Sequence, residues 1–427
     1  MATRLNAPWI RRGQSVSHKI KAGSEITIEI TIAFRKEQLQ YAARLLSDSM
    51  GLQFPSQCCQ ASGGDLHGPV LPEDLRIDED ELLEVFGSVS LQRELDTEKE
   101  DFCGRFDEAA VAWDVARPWV DLRARDVARR GIGRGFTGIP HSSSFSVLIA
   151  HDVDRTTASE PFSILNSLLG TLRLRRGNWW SLATALSPRS LVRNIERLLE
   201  FERSQGIGAH YFMLSGPYGF GRNASRTDIC WSSAREIGRL ILQAGMPVGL
   251  HGSFAARERS GYREEKDRLE QALGCAVTTH RNHYLRFDPA ALYSQLEIAA
   301  IRFDLSVGFV SRIGFRAGCA RSHRAFDLQK RRPSSVFSVP QLFMDTVLPY
   351  RSPEEILVEL RDALMHVKAV QGCVCLVFHP ETFLIDSRAW PLFQNIVQMC
   401  RDIGADLSGK LPDRQTVLQK ECAEPAS

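Results

Sequence analysis

Residues Ser144 to Asp154 read SFSVLIAHDVD, a short apolar run that stops abruptly in a histidine and two aspartates. Val147, Leu148, Ile149 and Ala150 have the continuous apolar character of a strand buried on both faces of an α/β sheet. The polar cluster falls where such a strand meets its loop. In sheets and barrels built of βα units the carboxyl ends of the strands carry the chemistry, so Asp152 and Asp154, on one side of an extended segment, are natural ligands or bases.

The chain around this strand has 427 residues, 43% hydrophobic and 24% charged, which is long enough for two domains and ordinary for a globular protein. Lys plus Arg (53) nearly balance Asp plus Glu (51), so the net charge of +2 argues for neither a nucleic-acid nor a membrane-surface partner. No apolar run reaches the roughly 18 to 20 residues that span a bilayer, and MATRLNAPWIRRGQ has no signal-peptide core. A cytoplasmic location is the expectation. The ten cysteines lack paired CxxC spacing and read as reduced thiols, with Cys373 and Cys375 on one face of a buried strand.

Upstream, Glu25 to Phe34 alternates like a half-buried strand and Arg35 to Met50 carries the stripe of an amphipathic helix. Residues 53 to 68 read as a loop. Leu71 to Glu100 is acidic but lacks the ligand pattern of an EF-hand, so it is expected to be a solvated helix face. Helical patterning returns over Asp107 to Val127, and the Gly-rich Arg129 to His141 reads as a linker, placing a domain boundary near residue 140. Downstream come βα units. Helices are expected at Ile164–Leu174, Ser190–Gln205, Ile229–Ala244, Gly261–Leu273, Pro289–Ala300 and Pro353–Val370. Strands are expected at Ala209–Leu214, Met246–Leu250, Cys275–Thr279, Arg302–Ser306 and Val374–Phe378.

Polar clusters recur at the strand ends as HDVD, HGS, HRNH and FHP. A single strand-end histidine is an ordinary hydrogen-bonded residue; four such endings point to one shared site. One carboxylate and two imidazoles hold a divalent cation such as Zn2+ and leave positions open. With a second carboxylate to take a proton and a histidine to protonate a leaving group, the set suits amide or ester hydrolysis.

The order DVD, HGS, HRNHY, GFRAG and FHP resembles the polysaccharide deacetylases of carbohydrate esterase family four, the NodB-homology fold, and looks closest to an HDVD-bearing subgroup found near surface-polysaccharide genes. The resemblance covers about Phe145 to Leu411. It implies a distorted (β/α) barrel over 141–427 behind an N-terminal α+β domain, 1–140, of unassigned role. It also implies a metal-dependent enzyme, with Zn2+ first and Co2+, Mn2+ or Ni2+ as substitutes, that removes an N-acetyl or O-acetyl group from a sugar of a surface polysaccharide or its precursor. On that likeness Asp152 is the catalytic base, Asp154 and His251 are metal ligands, Arg281 pairs with the base, the Tyr284 N–H helps bind the oxyanion, and His379 is the general acid. Asp304 supports the arginine and histidine pair, and Arg316 in GFRAG is a clamp for substrate or, equally, a structural residue of a Gly turn. Asp345 in LFMD is a weaker candidate, with a surface carboxylate as the plain alternative.

The sequence departs from the family at the third ligand, where a histidine four residues after His251 is replaced by Ala255. His283 or His280 would complete the coordination, His283 first because its spacing sets it deeper in the loop. Two other functions remain open. A DxD after an apolar strand also serves glycosyltransferases that hold a metal and a nucleoside diphosphate, and a relative that has lost its metal would be a non-catalytic carbohydrate-binding protein.

Overall fold

The computed structural model describes residues 37–43, 45, 79–97, 100–101, 106–111, 114–132, 145–156, 189–218, 227–259 and 261–411. The expected strand Glu25–Phe34, the loop at 53–68 and the helix Ile164–Leu174 lie outside them. Among the described residues nine strands form one sheet: β1 (Ser146–Val153), β2 (Ala209–Leu214), β3 (Val248–Gly252), β4 (Thr279–Asn282), β5 (Phe303–Asp304), β6 (His323–Asp327), β7 (Arg332–Ser338), β8 (Gln341–Met344) and β9 (Cys373–Phe378). Their order is β6-β7-β5-β4-β3-β2-β1-β9-β8, and every neighbouring pair is parallel except β6 with β7. The chain is a mixed α/β protein built on a curled, mostly parallel sheet, the architecture of a distorted (β/α) barrel.

Two apolar layers show the curl. Leu148 and Ala150 of β1 share a compact inner cluster with Phe212, Phe303, Phe337, Met344, Cys375 and Val377. Phe337 of β7 and Met344 of β8 stand near opposite ends of the strand order, so they meet only because the sheet bends round. The outer layer takes the alternate residues Val147, Ile149, Val153, Leu250, Val374 and Leu376 against the helices Ser190–Ser204, Ser232–Gln243, Tyr262–Leu273, Pro353–Ala369 and Ala389–Asp402. Successive side chains of a strand point to opposite faces, so parity assigns every residue of a strand-end motif to one layer or the other.

Several boundaries differ from those expected. The strand expected at Cys275–Thr279 begins only at Thr279 and runs through Asn282, which puts His280 and Arg281 within β4. β3 likewise extends through His251, and β5 shrinks to two residues. The region 323–344 supplies three unforeseen strands, because its charged, Pro-containing edge hairpin alternates poorly. Cys373 and Cys375 are buried free thiols on one strand.

The described N-terminal residues share this core. Helix α1 (Glu79–Val89) buries Val85, Phe86 and Val89, and Tyr41, Phe86 and Phe326 of β6 pack edge to face, with Phe326 centred 4.9 Å from each of the other two rings. The acidic stretch is therefore only partly the solvated face expected of it, since Glu94 in α2 (Gln92–Thr97) is buried as well. Helix α3 (Trp119–Ile132) runs into the expected linker and docks on the GFRAG turn, where the Gly318 carbonyl accepts from Val120 N at 3.0 Å. Gly318 has φ 68°, and a Cβ there would stand 2.3 Å from the Trp119 ring, so glycine is required for that approach. Among the described residues no helix is long and apolar enough to cross a membrane.

On the outer face His151 Nε2 meets Glu202 Oε1 at 2.6 Å, and Tyr211 donates to Glu202 Oε2 at 2.7 Å. All three are fully buried, so removing the carboxylate strands two polar groups in an apolar layer. Glu202→Leu is expected to destabilise the protein by about 2–4 kcal/mol in urea unfolding, and Glu202→Gln by clearly less. Equal stability of wild type and Glu202→Leu would contradict this.

Candidate metal and catalytic site

Parity and curl bring four strand ends together. On β1 the inner layer of Leu148 and Ala150 continues into Asp152 and, past the strand, Asp154. On β3 it contains His251; on β4 it contains Arg281 and continues to His283; on β9, Cys375 and Val377 lead to His379. Asp154 Oδ1 lies 3.1 Å from His251 Nε2 and 3.1 Å from His283 Nδ1, and the two imidazole nitrogens are 3.1 Å apart. This is the one group of potential metal ligands found among the described residues.

The triangle fits a small cation. Donors bound at about 2.0–2.1 Å in a tetrahedral shell stand about 3.3–3.4 Å apart, close to the edges seen here. His251 Nδ1 lies 3.0 Å from the Arg281 carbonyl; donating there turns the lone pair of Nε2 toward the triangle, the usual way a ligating histidine is oriented. Asp154 Oδ1 is buried and otherwise lacks a hydrogen bond, as expected of an atom facing a ligand position. Burial opposes the Asp154 charge, but the His283 and His251 imidazoles hold its carboxyl well below the usual range. Burial lowers the pKa of His283. His251 is raised despite burial because Asp152 and Asp154 face it, so donors and protons compete for this place.

Asp152 does different work. Its Oδ2 accepts from Arg281 Nε at 2.7 Å and stands 4.0 Å from His251 Nε2. Burial opposes its charge as well, yet Arg281, His251 and His379 keep it below the ordinary carboxylate range. The fully buried Arg281 spends its other nitrogens on the Leu305 carbonyl (2.6 Å) and Gln341 Oε1 (2.7 Å). The two aspartates of the DVD are thus divided between an arginine and an imidazole pair, which leaves no paired carboxylates for a diphosphate-bound metal. His379 Nε2 lies 3.9 Å from Asp152 Oδ2 and 3.9 Å from Asp154 Oδ2. Asp345 grips the other side of His379, accepting from its backbone N at 2.8 Å and meeting Nδ1 at 2.6 Å. Burial works against a charged imidazole here, but the Asp345 carboxylate, with Asp154 and Asp152, raises the His379 pKa well above its ordinary value.

Other expected site residues stand elsewhere. His280 has the opposite parity to His283 and faces the outer layer, where Nδ1 meets Asp304 Oδ1 at 2.9 Å. Asp304 therefore holds His280 and accepts from Ser306 Oγ (2.5 Å), while Arg281 takes Gln341 in place of the acid expected beside it. Arg316 is not placed to clamp a substrate: its guanidinium is buried in a two-pronged pair with Glu94, 2.6 Å on each prong. Ala255 is buried and offers no ligand atom; the third corner of the triangle is His283 Nδ1, just past the end of β4. Tyr284 is 48% exposed, its ring centred 4.0 Å from that of His283, and it has the left-handed φ of 59° that a tyrosine rarely adopts.

Sequence reasoning undervalued Asp345 and missed Gln341 and Glu381. Burial and the neighbouring Asp154 push the Glu381 carboxyl up to about 7, and its Oε2 is buried without a partner. Its only sequence signal is its place two residues after His379.

No protein-family model matches the chain, and no curated protein does. Solved structures do. A protein of Mycobacterium smegmatis assigned as a polysaccharide deacetylase aligns with 64% of this chain and 90% of its own at 15% identity, TM-score 0.44. The chitin deacetylase of the fungal pathogen Colletotrichum lindemuthianum aligns over 62% and 84% at 12% identity, TM-score 0.34, and Puue allantoinase over 68% and 94% at 11% identity, TM-score 0.45. The chain is similar to polysaccharide deacetylases.

Elemental analysis of protein purified with a divalent metal is expected to give near-stoichiometric content for wild type and His280→Ala. Loss of most of it is expected for His251→Ala, His283→Ala and Asp154→Ala. Undiminished metal in His283→Ala would remove that residue from the ligand set.

Proposed function

We propose that this protein is a metal-dependent hydrolase that removes an N-acetyl or O-acetyl group from a sugar of a surface polysaccharide or its precursor. The observation that carries this is the flanking of the Asp154–His251–His283 triangle by an arginine-held carboxylate, Asp152, and an aspartate-held imidazole, His379. The donor set of two imidazoles and one carboxylate suits Zn2+ first. When bound there, a divalent cation supplies positive charge that polarises a carbonyl and makes water easier to deprotonate.

The chain's own residues do the rest. Asp152, kept ionised and oriented by Arg281, takes the proton of a water attacking the acetyl carbonyl. His379 carries a proton at Nε2 and gives it to the departing amine or alkoxide; Asp345 keeps Nδ1 engaged, so Nε2 is the nitrogen presented to the substrate. Asp152 Oδ2 and His379 Nε2, 3.9 Å apart, are not hydrogen-bonded to each other, so neither uses up the other's function. The left-handed Tyr284 brings the backbone past the ligand His283, and its N–H is assigned to the oxyanion. A protein that only binds carbohydrate has no use for buried Arg281–Asp152 and Asp345–His379 pairs.

Acetate release from acetylated amino-sugar oligomers by metal-loaded protein is the direct assay. Asp152→Asn is expected to lower turnover at least about 1,000-fold with metal content retained, and Asp345→Asn to lower kcat about 100-fold with little change in KM. Sugar binding without acetate release by wild type would favour the non-catalytic alternative; unchanged turnover in Asp152→Asn would overturn the assignment of the base.

A further inference from the structure

A buried guanidinium has to be paired on every side, and Arg316 is 5% exposed. Two of its nitrogens bind Glu94 of the N-terminal segment, with the rings of Phe106 and Phe287 centred 5.4 and 5.0 Å from the guanidinium carbon. The third, Nη1, donates to the Gly308 carbonyl at 2.9 Å. Gly308 in turn lies against Gln341 so closely that a Cβ on it would stand 2.5 Å from the Gln341 Cβ and 2.6 Å from its Cδ. Both ends of the Gln341 amide are used: Nε2 donates to the Phe309 carbonyl at 2.7 Å, and Oε1 accepts from Arg281 Nη2 at 2.7 Å. Arg281 Nη1 is tied to the Leu305 carbonyl, and its Nε reaches Asp152. A second N-terminal carboxylate, Glu108, holds the same loop from outside, accepting from Val310 N at 2.6 Å and Ser311 N at 3.1 Å.

The loop 305–311 is thus clamped between N-terminal carboxylates on one side and Gln341 with Arg281 on the other. The plane of the Arg281 guanidinium follows from the Leu305 carbonyl and the Gln341 amide, and that plane fixes the carboxylate of Asp152. A base misplaced by about 1 Å loses on the order of 100-fold in rate. We infer that Glu94 and Gly308 are positioning residues for Asp152, so that the N-terminal segment is a working part of the site rather than an appended domain. The inference presupposes the hydrolase proposed above, but its structural half is testable without turnover.

The test uses the full chain with metal bound. Gly308→Ala pushes on Gln341 without changing any charge, and Glu94→Gln loosens the Arg316 fork. Each is expected to lower kcat at least tenfold, with KM within twofold and metal content unchanged. Leu392→Ala, a core variant in the outer layer, serves as the control for general destabilisation and is expected to keep its kcat. Gly308→Ala combined with Gln341→Gly, which removes the Cβ as well as the amide that the new methyl would meet, is expected to be within twofold of Gln341→Gly alone, because both act through one side chain. Independently, the Arg281 Nε–H resonance of 15N-arginine-labelled protein, assigned by its absence from Arg281→Lys, is expected to shift and exchange faster in Gly308→Ala and Glu94→Gln. Independent, multiplicative losses in the double variant, a kcat within twofold of wild type, or an unmoved Arg281 resonance would each overturn the inference. A wild type without acetate release would instead sink the hydrolase assignment, leaving the resonance to decide the relay.

Discussion

Arg281 is completely buried, and a guanidinium in that position is tolerable only if each nitrogen has an acceptor fixed in advance. Those acceptors come from β1 (Asp152), from the chain just after β5 (Leu305) and from β8 (Gln341). One side chain therefore ties together strands from distant parts of the sheet order. The same requirement makes the charge of Asp152 affordable, since a carboxylate buried opposite an arginine stays ionised where an isolated one would take up a proton. Removing either partner would leave the other charged and unpaired in a dry interior, at a cost of about 3–5 kcal/mol against a total stability of about 5–15 kcal/mol. The arrangement that orients the candidate base is thus also one that the fold cannot easily lose.

Strand parity organises the remainder. In HDVD the two aspartates face inward with Leu148 and Ala150, while His151 faces outward to Glu202 and Tyr211. In THRNH the inward residues are Thr279, Arg281 and His283, and the outward His280 meets Asp304. Each motif therefore supplies one set of groups to the site and one to the seam between sheet and helices. A motif that looks like a run of functional residues is two interleaved sets, and only the alternate members share a task.

Parity was the part most legible in the sequence, because it depends on neighbouring residues alone. The apolar run before HDVD marked a central strand, and the strand-end positions of His251 and His379 followed from the runs leading into them. The register of β4 was not legible: AVTTHRN has no sharp apolar-to-polar step, and the error of a few residues left His280 and His283 both open as ligands. Pairings at long range were beyond reach for a different reason. Asp345 meets His379 across 34 residues, and Glu94 meets Arg316 across 222, so no local pattern distinguishes these carboxylates from solvated ones. The acidic stretch around Glu94 was expected to be solvated for just this reason, and only the burial of Arg316 reveals which of its carboxylates is needed inside.

That last pairing changes what the N-terminal segment is for. A segment joined only through apolar contacts could be lost at the cost of exposing its seam, and the sheet behind it would keep its inner geometry. Here the segment delivers Glu94 to Arg316, which holds the Gly308 carbonyl, and Glu108 to the loop 305–311 itself; without it Arg316 would be buried without this counter-ion and the loop would have two backbone N–H groups without these acceptors. A loop in that condition would rearrange to reach water, and it also carries the carbonyls that hold Arg281 and Gln341. Electrostatic satisfaction therefore propagates inward from the N-terminal helices, and the order of the inner face depends on residues that lie outside the sheet altogether.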